Sequence, residues 1–382
     1  MPYCDHNATA PLRPEAREAV ERALSITGNP SSIHAGGRAA RAMVEKARDE
    51  VARLVRAESD SVIFTSGATE ANALALRGMV EAAADVNKPI TRLLVSAIEH
   101  KSVLKTAETI AERVADTRLE IVPVTADGVV DIEVLIRLLK ADEGRAVVAL
   151  MRANNETGVV QPIMEVSRLC RGAGALLLVD AVTAAGKIPL DANLCDCMSL
   201  SGHKLGAPQG VGALVVSGAT PLAPQLLGGG QQKGLRAGTE NLAGIAGFGA
   251  AAKAVLSNDE ERSRVTVLRD GFERALKDML PQSVVMGEAV PRLPNTSNVA
   301  LPGLSAENMV IALDLDGVMV SSGSSCSSGK IAASHVLAAM GVADEYSSIR
   351  VSFGWNSTKS DADAVVTSLV KLWQRAHPRA AA

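Results

Sequence analysis

An α/β protein is the expected fold class: a mostly parallel sheet flanked by helices on both faces, followed by a smaller α+β lobe. Short apolar runs recur at residues 92–96, 119–124, 146–151, 175–179 and 212–216, with enough chain between them for helices. Alternation of this kind marks parallel strands joined by helical crossovers. The length of 382 residues exceeds what one hydrophobic core usually organises, which asks for a second unit. With 47% hydrophobic and 21% charged residues the chain can bury a core, and with 2% aromatic residues Ala, Val, Leu and Ile must fill it.

Taken in order, residues 15–24 show helical apolar spacing, Gly28-Asn29-Pro30-Ser31-Ser32 breaks it, and an Ala/Arg-rich helix follows. Residues 61–64 read as a strand, Thr65-Ser66-Gly67-Ala68-Thr69 as a small-residue turn, and Glu70 opens a helix. The strands named above come next. After a Gly-rich stretch from Gly228 to Gly238, a small-residue helix spans about residues 241–256, and the charged run Asn258-Asp259-Glu260-Glu261-Arg262 suggests a boundary near residue 258. The remainder reads as helix, strand (297–301), helix, strand (318–321), Ser/Gly loop, helix, strand (348–353) and helix. The expected division is a large domain over residues 14–257 and a small one formed by 1–13 with 258–382.

Composition excludes several function classes. Formal net charge is -3 and no Lys/Arg run forms an electrostatic footprint, so no nucleic-acid binding is expected. No stretch reaches about 18 consecutive apolar residues, and Met1-Pro2-Tyr3-Cys4-Asp5-His6 lacks a basic and an apolar leader region. A cytoplasmic protein without membrane association is expected. Five cysteines are too few and too irregular for a disulfide framework.

Ligands of parallel sheets sit beyond the carboxyl ends of the strands, and polar residues cluster there. Lys204 ends a short apolar segment; desolvated in a crevice it can act as an imine-forming amine, while on its own it also reads as a surface lysine. A lysine-bound pyridoxal phosphate needs an anion cradle, a carboxylate for its ring nitrogen and a cover for its face. Ser66-Gly67-Ala68-Thr69 before a helix can cradle phosphate, or simply cap the helix. Asp180 closes the run Leu176-Leu177-Leu178-Val179 and can be the carboxylate, or an N-cap. His100 can cover a ring, or be a loop histidine.

Cys326 lies in Ser321-Ser322-Gly323-Ser324-Ser325-Cys326-Ser327-Ser328-Gly329, a stretch too polar to pack and suited to carrying a travelling thiolate. It fails as a P-loop, since five residues separate Gly323 from Gly329 and Ile331 follows Lys330. Arg350, alone in an apolar strand, can clamp a carboxylate or make a structural ion pair. Cys195 and Cys197 lack partners at zinc spacing and read as core or strand residues.

Together these motifs resemble the cysteine desulfurases of the NifS/IscS type, in aminotransferase class V. Asp5-His6-Asn7-Ala8-Thr9, Gly28-Asn29-Pro30, Thr65-Ser66-Gly67-Ala68-Thr69-Glu70, Glu99-His100, Asn154-Asn155-Glu156-Thr157-Gly158, Asp180-Ala181, Ser201-Gly202-His203-Lys204, Arg236-Ala237-Gly238-Thr239 and the Cys326 stretch occur in the family's order. The resemblance implies a fold type I pyridoxal-phosphate transferase with a seven-stranded sheet, and a homodimer. It implies that Lys204 holds the cofactor covalently, Asp180 pairs with its ring nitrogen, and His100 covers the ring and moves protons. Ala68, Thr69, Ser201 and His203 would bind the phosphate, joined by Thr239 from a neighbouring subunit. Asn155, at the cofactor, and Arg350 would orient the carboxylate of L-cysteine, and Cys326 would form the persulfide.

No catalytic metal is implied, although Cys326 could ligate an iron–sulfur cluster transiently, and a sulfur-acceptor or iron–sulfur scaffold protein would be the partner. Thr183 stands where the family usually carries Gln at the cofactor's phenolic oxygen. Another class V reaction, such as transamination or selenocysteine cleavage, and a non-catalytic sulfur-relay role are the competing readings.

Overall fold

In the computed structural model, which describes residues 1–85, 88–141, 144–218, 220–322, 334–342 and 346–378, helices α1 (Pro14–Leu24) and α2 (Ala35–Leu54) precede an alternation of strand and helix. It runs β1 (Val62–Thr65), α3 (Ala68–Asp85), β2 (Ile90–Ser96), α4 (Lys101–Arg113), β3 (Arg118–Val122), α5 (Ile132–Lys140), β4 (Arg145–Ala149), α6 (Ile163–Ala173) and β5 (Leu176–Asp180). Strands β6 (Cys197–Ser201) and β7 (Gly212–Val216) follow, and helix α7 (Leu242–Leu256) packs on α1 and α2. The seven strands form one sheet in the order β1-β7-β6-β5-β4-β2-β3. From β3 to β6 neighbours are parallel, and β7 runs antiparallel to both β6 and β1. Six of the seven strands therefore share one direction, and their carboxyl ends share one edge.

Side chains alternate across a strand, so a sheet covered on both faces needs strands apolar at every position. β5 meets that demand: Leu177 and Val179 join the cluster under α2 and α7, while Leu176 and Leu178 join the one under α3 and α4. Each such side chain withdrawn from water stabilises the fold by about 2 kcal/mol. Gly174, at φ 66°, closes α6 in the left-handed conformation and turns the chain into β5.

Helix α8 (Asp259–Met279) starts at the Asn258 cap, followed by β8 (Val284–Val285), β9 (Thr296–Ala300), α9 (Ala306–Leu315), α10 (His335–Ala339), β10 (Ser348–Ser352) and α11 (Lys359–Ala376). Strands β10, β9 and β8 form a second, antiparallel sheet. Phe272 and Phe353 meet edge-to-face at 6.0 Å in its core, and Cys4 packs into the same cluster. The first residues reach this sheet through bridges from Tyr3 to Met319 and from Asp5 to Ser352.

Three elements differ from expectation. Residues 318–321 make isolated bridges to Tyr3 and Arg350 rather than a strand, because their partners lie on two different segments. β6 shows in the sequence only as the short apolar segment before Lys204, because Ser199 and Ser201 interrupt it, yet all five of its residues are buried. β8 is two residues long, too short to leave a pattern.

Candidate active site

A cavity of about 630 Å³ opens at the sheet edge where the parallel strands end. β1 leads into Ala68 and Thr69 at the start of α3, β2 into His100, and β4 into Asn155; β5 ends on Asp180 and β6 on Ser201, just before His203 and Lys204. All of these line the cavity, as do Thr183 and, from β10 in the second sheet, Arg350. A Cβ at Gly212 would lie 2.7 Å from the Gly67 Cα, so a glycine there lets β7 pass close beneath the Ser66-Gly67-Ala68-Thr69 turn.

Lys204 Nζ donates to the carbonyl oxygens of Asn7 at 2.5 Å and Ala8 at 2.7 Å. Burial, reinforced by the Arg350 charge, lowers its pKa to about 8, against the opposing pull of Asp5 and Asp180. Asp180 is buried; its Oδ2 accepts from Asn72 Nδ2 at 2.9 Å and its Oδ1 from the Val182 N–H at 3.0 Å. That leaves a fixed carboxylate at the exit of an otherwise apolar strand.

His100 caps α4: its Nδ1 accepts from the Ser102 N–H at 3.1 Å. Assigned from that bond, the neutral ring carries its proton on Nε2. His100 lines the cavity, and desolvation, reinforced by the Lys204 charge and opposed by Asp180, lowers its pKa. The preceding Glu99 is fully buried, with Oε1 accepting from the Met151 N–H at 2.6 Å and Oε2 without a partner among the described residues. Burial, with Asp180 nearby, pushes the Glu99 pKa well up. His203 bonds Thr9 Oγ1 at 3.2 Å, and burial beside Lys204 lowers its pKa to about 4.

Arg350 is 4% exposed. Nη2 meets Asp5 Oδ1 at 2.7 Å, Nη1 donates to the Asn155 carbonyl at 2.9 Å, and Nε has no acceptor among the described residues. The Nε–H of a buried guanidinium thus remains for an incoming acceptor.

Two expected site residues are not in this group. Thr239 is exposed and does not line the cavity. Cys326 lies outside the described residues. Conversely, Asn72 and the Asn7 and Ala8 carbonyls were not anticipated; bonds between elements far apart in the chain leave no local pattern. Among the described residues no cluster of His, Cys, Asp and Glu could hold a metal ion, and no helix is long and apolar enough to cross a membrane.

A sequence model of the family described as aminotransferase class V matches residues 2–365. The cysteine desulfurase IscS of Dictyoglomus turgidum is 38% identical over 379 residues, covering 98% of this chain and 94% of that protein. The X-ray structure of a NifS-like protein from Rickettsia africae superposes with a TM-score of 0.87 at 32% identity, over 98% of this chain and 99% of that one. A structure of SspA in complex with cysteine superposes with a TM-score of 0.80 at 25% identity, over 94% of this chain and 100% of that one.

Proposed function

The chain belongs to the aminotransferase class V family, and from that premise we propose that it is a pyridoxal-phosphate-dependent cysteine desulfurase. It converts L-cysteine to L-alanine and leaves the sulfur as a persulfide on Cys326. The observation that carries this reading is the convergence, in one cavity, of a lysine near neutrality, a buried aspartate at a strand end and a buried arginine with a donor to spare. The desulfurase names of the relatives support the substrate.

The residues present suit the cofactor. The backbone N–H groups of Ala68 and Thr69 lie in the first turn of α3, where helix amides have no carbonyl of their own to bond and receive phosphate well. The Thr69 and Ser201 hydroxyls and the His203 ring add donors on the same wall. Asp180 supplies the negative charge that a pyridine nitrogen needs to stay protonated. When bound, pyridoxal phosphate supplies an electron-poor ring that takes up the electron pair released at the substrate's α-carbon.

Lys204 would hold the cofactor through Nζ, and with a pKa of about 8 its free amine can take up and return the substrate's α-proton. Asn72 keeps Asp180 in place, and Asp180 would keep the cofactor's ring nitrogen charged. Arg350, held by Asp5 and the Asn155 carbonyl, turns its free Nε to the substrate carboxylate. His100, fixed by its cap bond, presents Nε2–H to the cavity. Cys326 is assigned the sulfur-accepting role from the sequence. Its Sγ forms the new S–S bond while the substrate's C–S bond breaks with its electron pair on carbon, which takes a proton to become the alanine methyl.

The persulfide then passes to an acceptor protein that serves iron–sulfur cluster or thio-cofactor assembly. The enzyme works in the cytoplasm as a homodimer, in which Thr239 completes the partner's phosphate site. Cys326→Ala tests the reading: sulfide release from L-cysteine falls at least about a hundredfold while cofactor absorbance remains. Retained turnover in that variant would favour another class V reaction.

A further inference from the structure

A second cavity, of about 420 Å³, lies beside the candidate active site without sharing a lining residue with it. Its floor includes the buried side chains of Ile163, Val179 and Met198, and Arg56, Arg152 and Arg168 stand around it. We propose that this cavity binds a small organic anion, a carboxylate on a short apolar body, with Arg152 as its principal anchor.

The argument starts from unbalanced charge. Arg152 is partly buried and its Nη1 donates to the Gln161 carbonyl at 2.6 Å, but no carboxylate pairs with it among the described residues. Burial alone lowers its pKa, with no acid to counter the effect. A cation withdrawn from water without a counter-charge is costly, and an anion from solution relieves that cost.

The two acids at the cavity do not serve. Asp191 Oδ1 already accepts from the N–H and Nδ2 of Asn193, both at 3.0 Å, and Glu165 is exposed on α6. Three guanidinium groups against two carboxylates leave positive charge above an apolar floor. The volume falls within the roughly 300–1,000 Å³ of small-molecule sites, and a charged head on an apolar body satisfies both parts. A bare inorganic anion would leave the floor uncovered.

The site is also linked to Asp180. The Arg152 N–H donates to the Asp180 carbonyl at 2.7 Å, and Val179 on the floor precedes Asp180 in β5. The cavity thus adjoins the strand end carrying the proposed cofactor carboxylate, and any effect of the anion on cofactor affinity is matched by an equal effect of cofactor on anion affinity.

Methionines make the test direct, because Met164 and Met198 line this cavity and Met151 lines the other. The cofactor-loaded enzyme, labelled at the methionine methyl groups, is titrated with hexanoate, hexanamide and inorganic phosphate in an NMR experiment. Hexanoate shifts Met164 and Met198 saturably and leaves Met151 in place; hexanamide and phosphate bind at least about tenfold more weakly, and Arg152→Met weakens hexanoate about tenfold. Should Arg152→Met disturb the remaining methionine signals, the double variant Arg56→Gln/Arg168→Gln, at exposed positions, replaces it with the same expected direction. Shifts confined to Met151, no shift at Met164 and Met198, equal binding of hexanamide or phosphate, or an affinity indifferent to the arginine substitutions overturns the proposal.

Discussion

Lys204 and Arg350 are two withdrawn cations facing one cavity, and the fold treats them in opposite ways. Among the described residues Lys204 receives only carbonyl oxygens, from Asn7 and Ala8, and its pKa drops to about 8. Arg350 receives the Asp5 carboxylate, so its charge is balanced and its direction fixed. A carbonyl dipole orients an amine without restoring the solvation that a full charge needs, whereas a carboxylate does both. The first arrangement suits a group that must give up its proton; the second suits one that must keep it. The same N-terminal stretch, residues 5–8, supplies both carbonyls to Lys204 and the carboxylate to Arg350.

Removing the reactive member breaks the contrast most severely. Lys204→Ala should lower turnover roughly a thousandfold, with the cofactor absorbance changing to that of an untethered aldehyde. Arg350→Lys keeps the charge but loses the fork, and should raise KM for L-cysteine about tenfold with a smaller change in kcat; an equal loss in both would point to a role in the chemical step.

Asp5→Asn sharpens the contrast, because Asp5 favours the charged form of Lys204. In the cofactor-free protein the pH midpoint for covalent capture of pyridoxal phosphate, expected near the Lys204 pKa of about 8, should move down in this variant. A midpoint that stays or rises contradicts the electrostatic account.

The smallest effect on activity concerns His6, buried at 2% exposure, whose pKa burial lowers from 6.5 to about 4. The folded state binds its proton less readily than the unfolded chain, so its contribution is intact above pH 6.5 and is lost as pH falls towards 4. His6→Asn should flatten the acid limb of a urea-denaturation stability profile by about 3 kcal/mol.

Much of this architecture was legible because the strands of a doubly covered sheet must be apolar throughout. Leu176-Leu177-Leu178-Val179 announces β5, and with it the position of Asp180 at the open edge. The grouping of Lys204, Asp180, His100 and Arg350 followed from family order; nothing local brings Arg350 to a sheet edge built from residues 62–216. β6 was legible only as the short apolar segment before Lys204, because Ser199 and Ser201 interrupt its apolar residues although all five of its positions are buried. The partners that tune the site, Asn72 on Asp180 and Asp5 on Arg350, were silent as pairs because each arises only when separate elements dock.

That docking has a consequence for how the molecule is made. Asp5 and Arg350 are 345 positions apart, and Tyr3 and Asp5 bridge to Met319 and Ser352. Tyr3 and Asp5 are therefore made hundreds of residues before these partners, and no nascent intermediate lacking β10 can close the pocket around the amine. A chain truncated before β10 would carry its lysine and aspartate in place and still lack the clasp that holds them to a substrate.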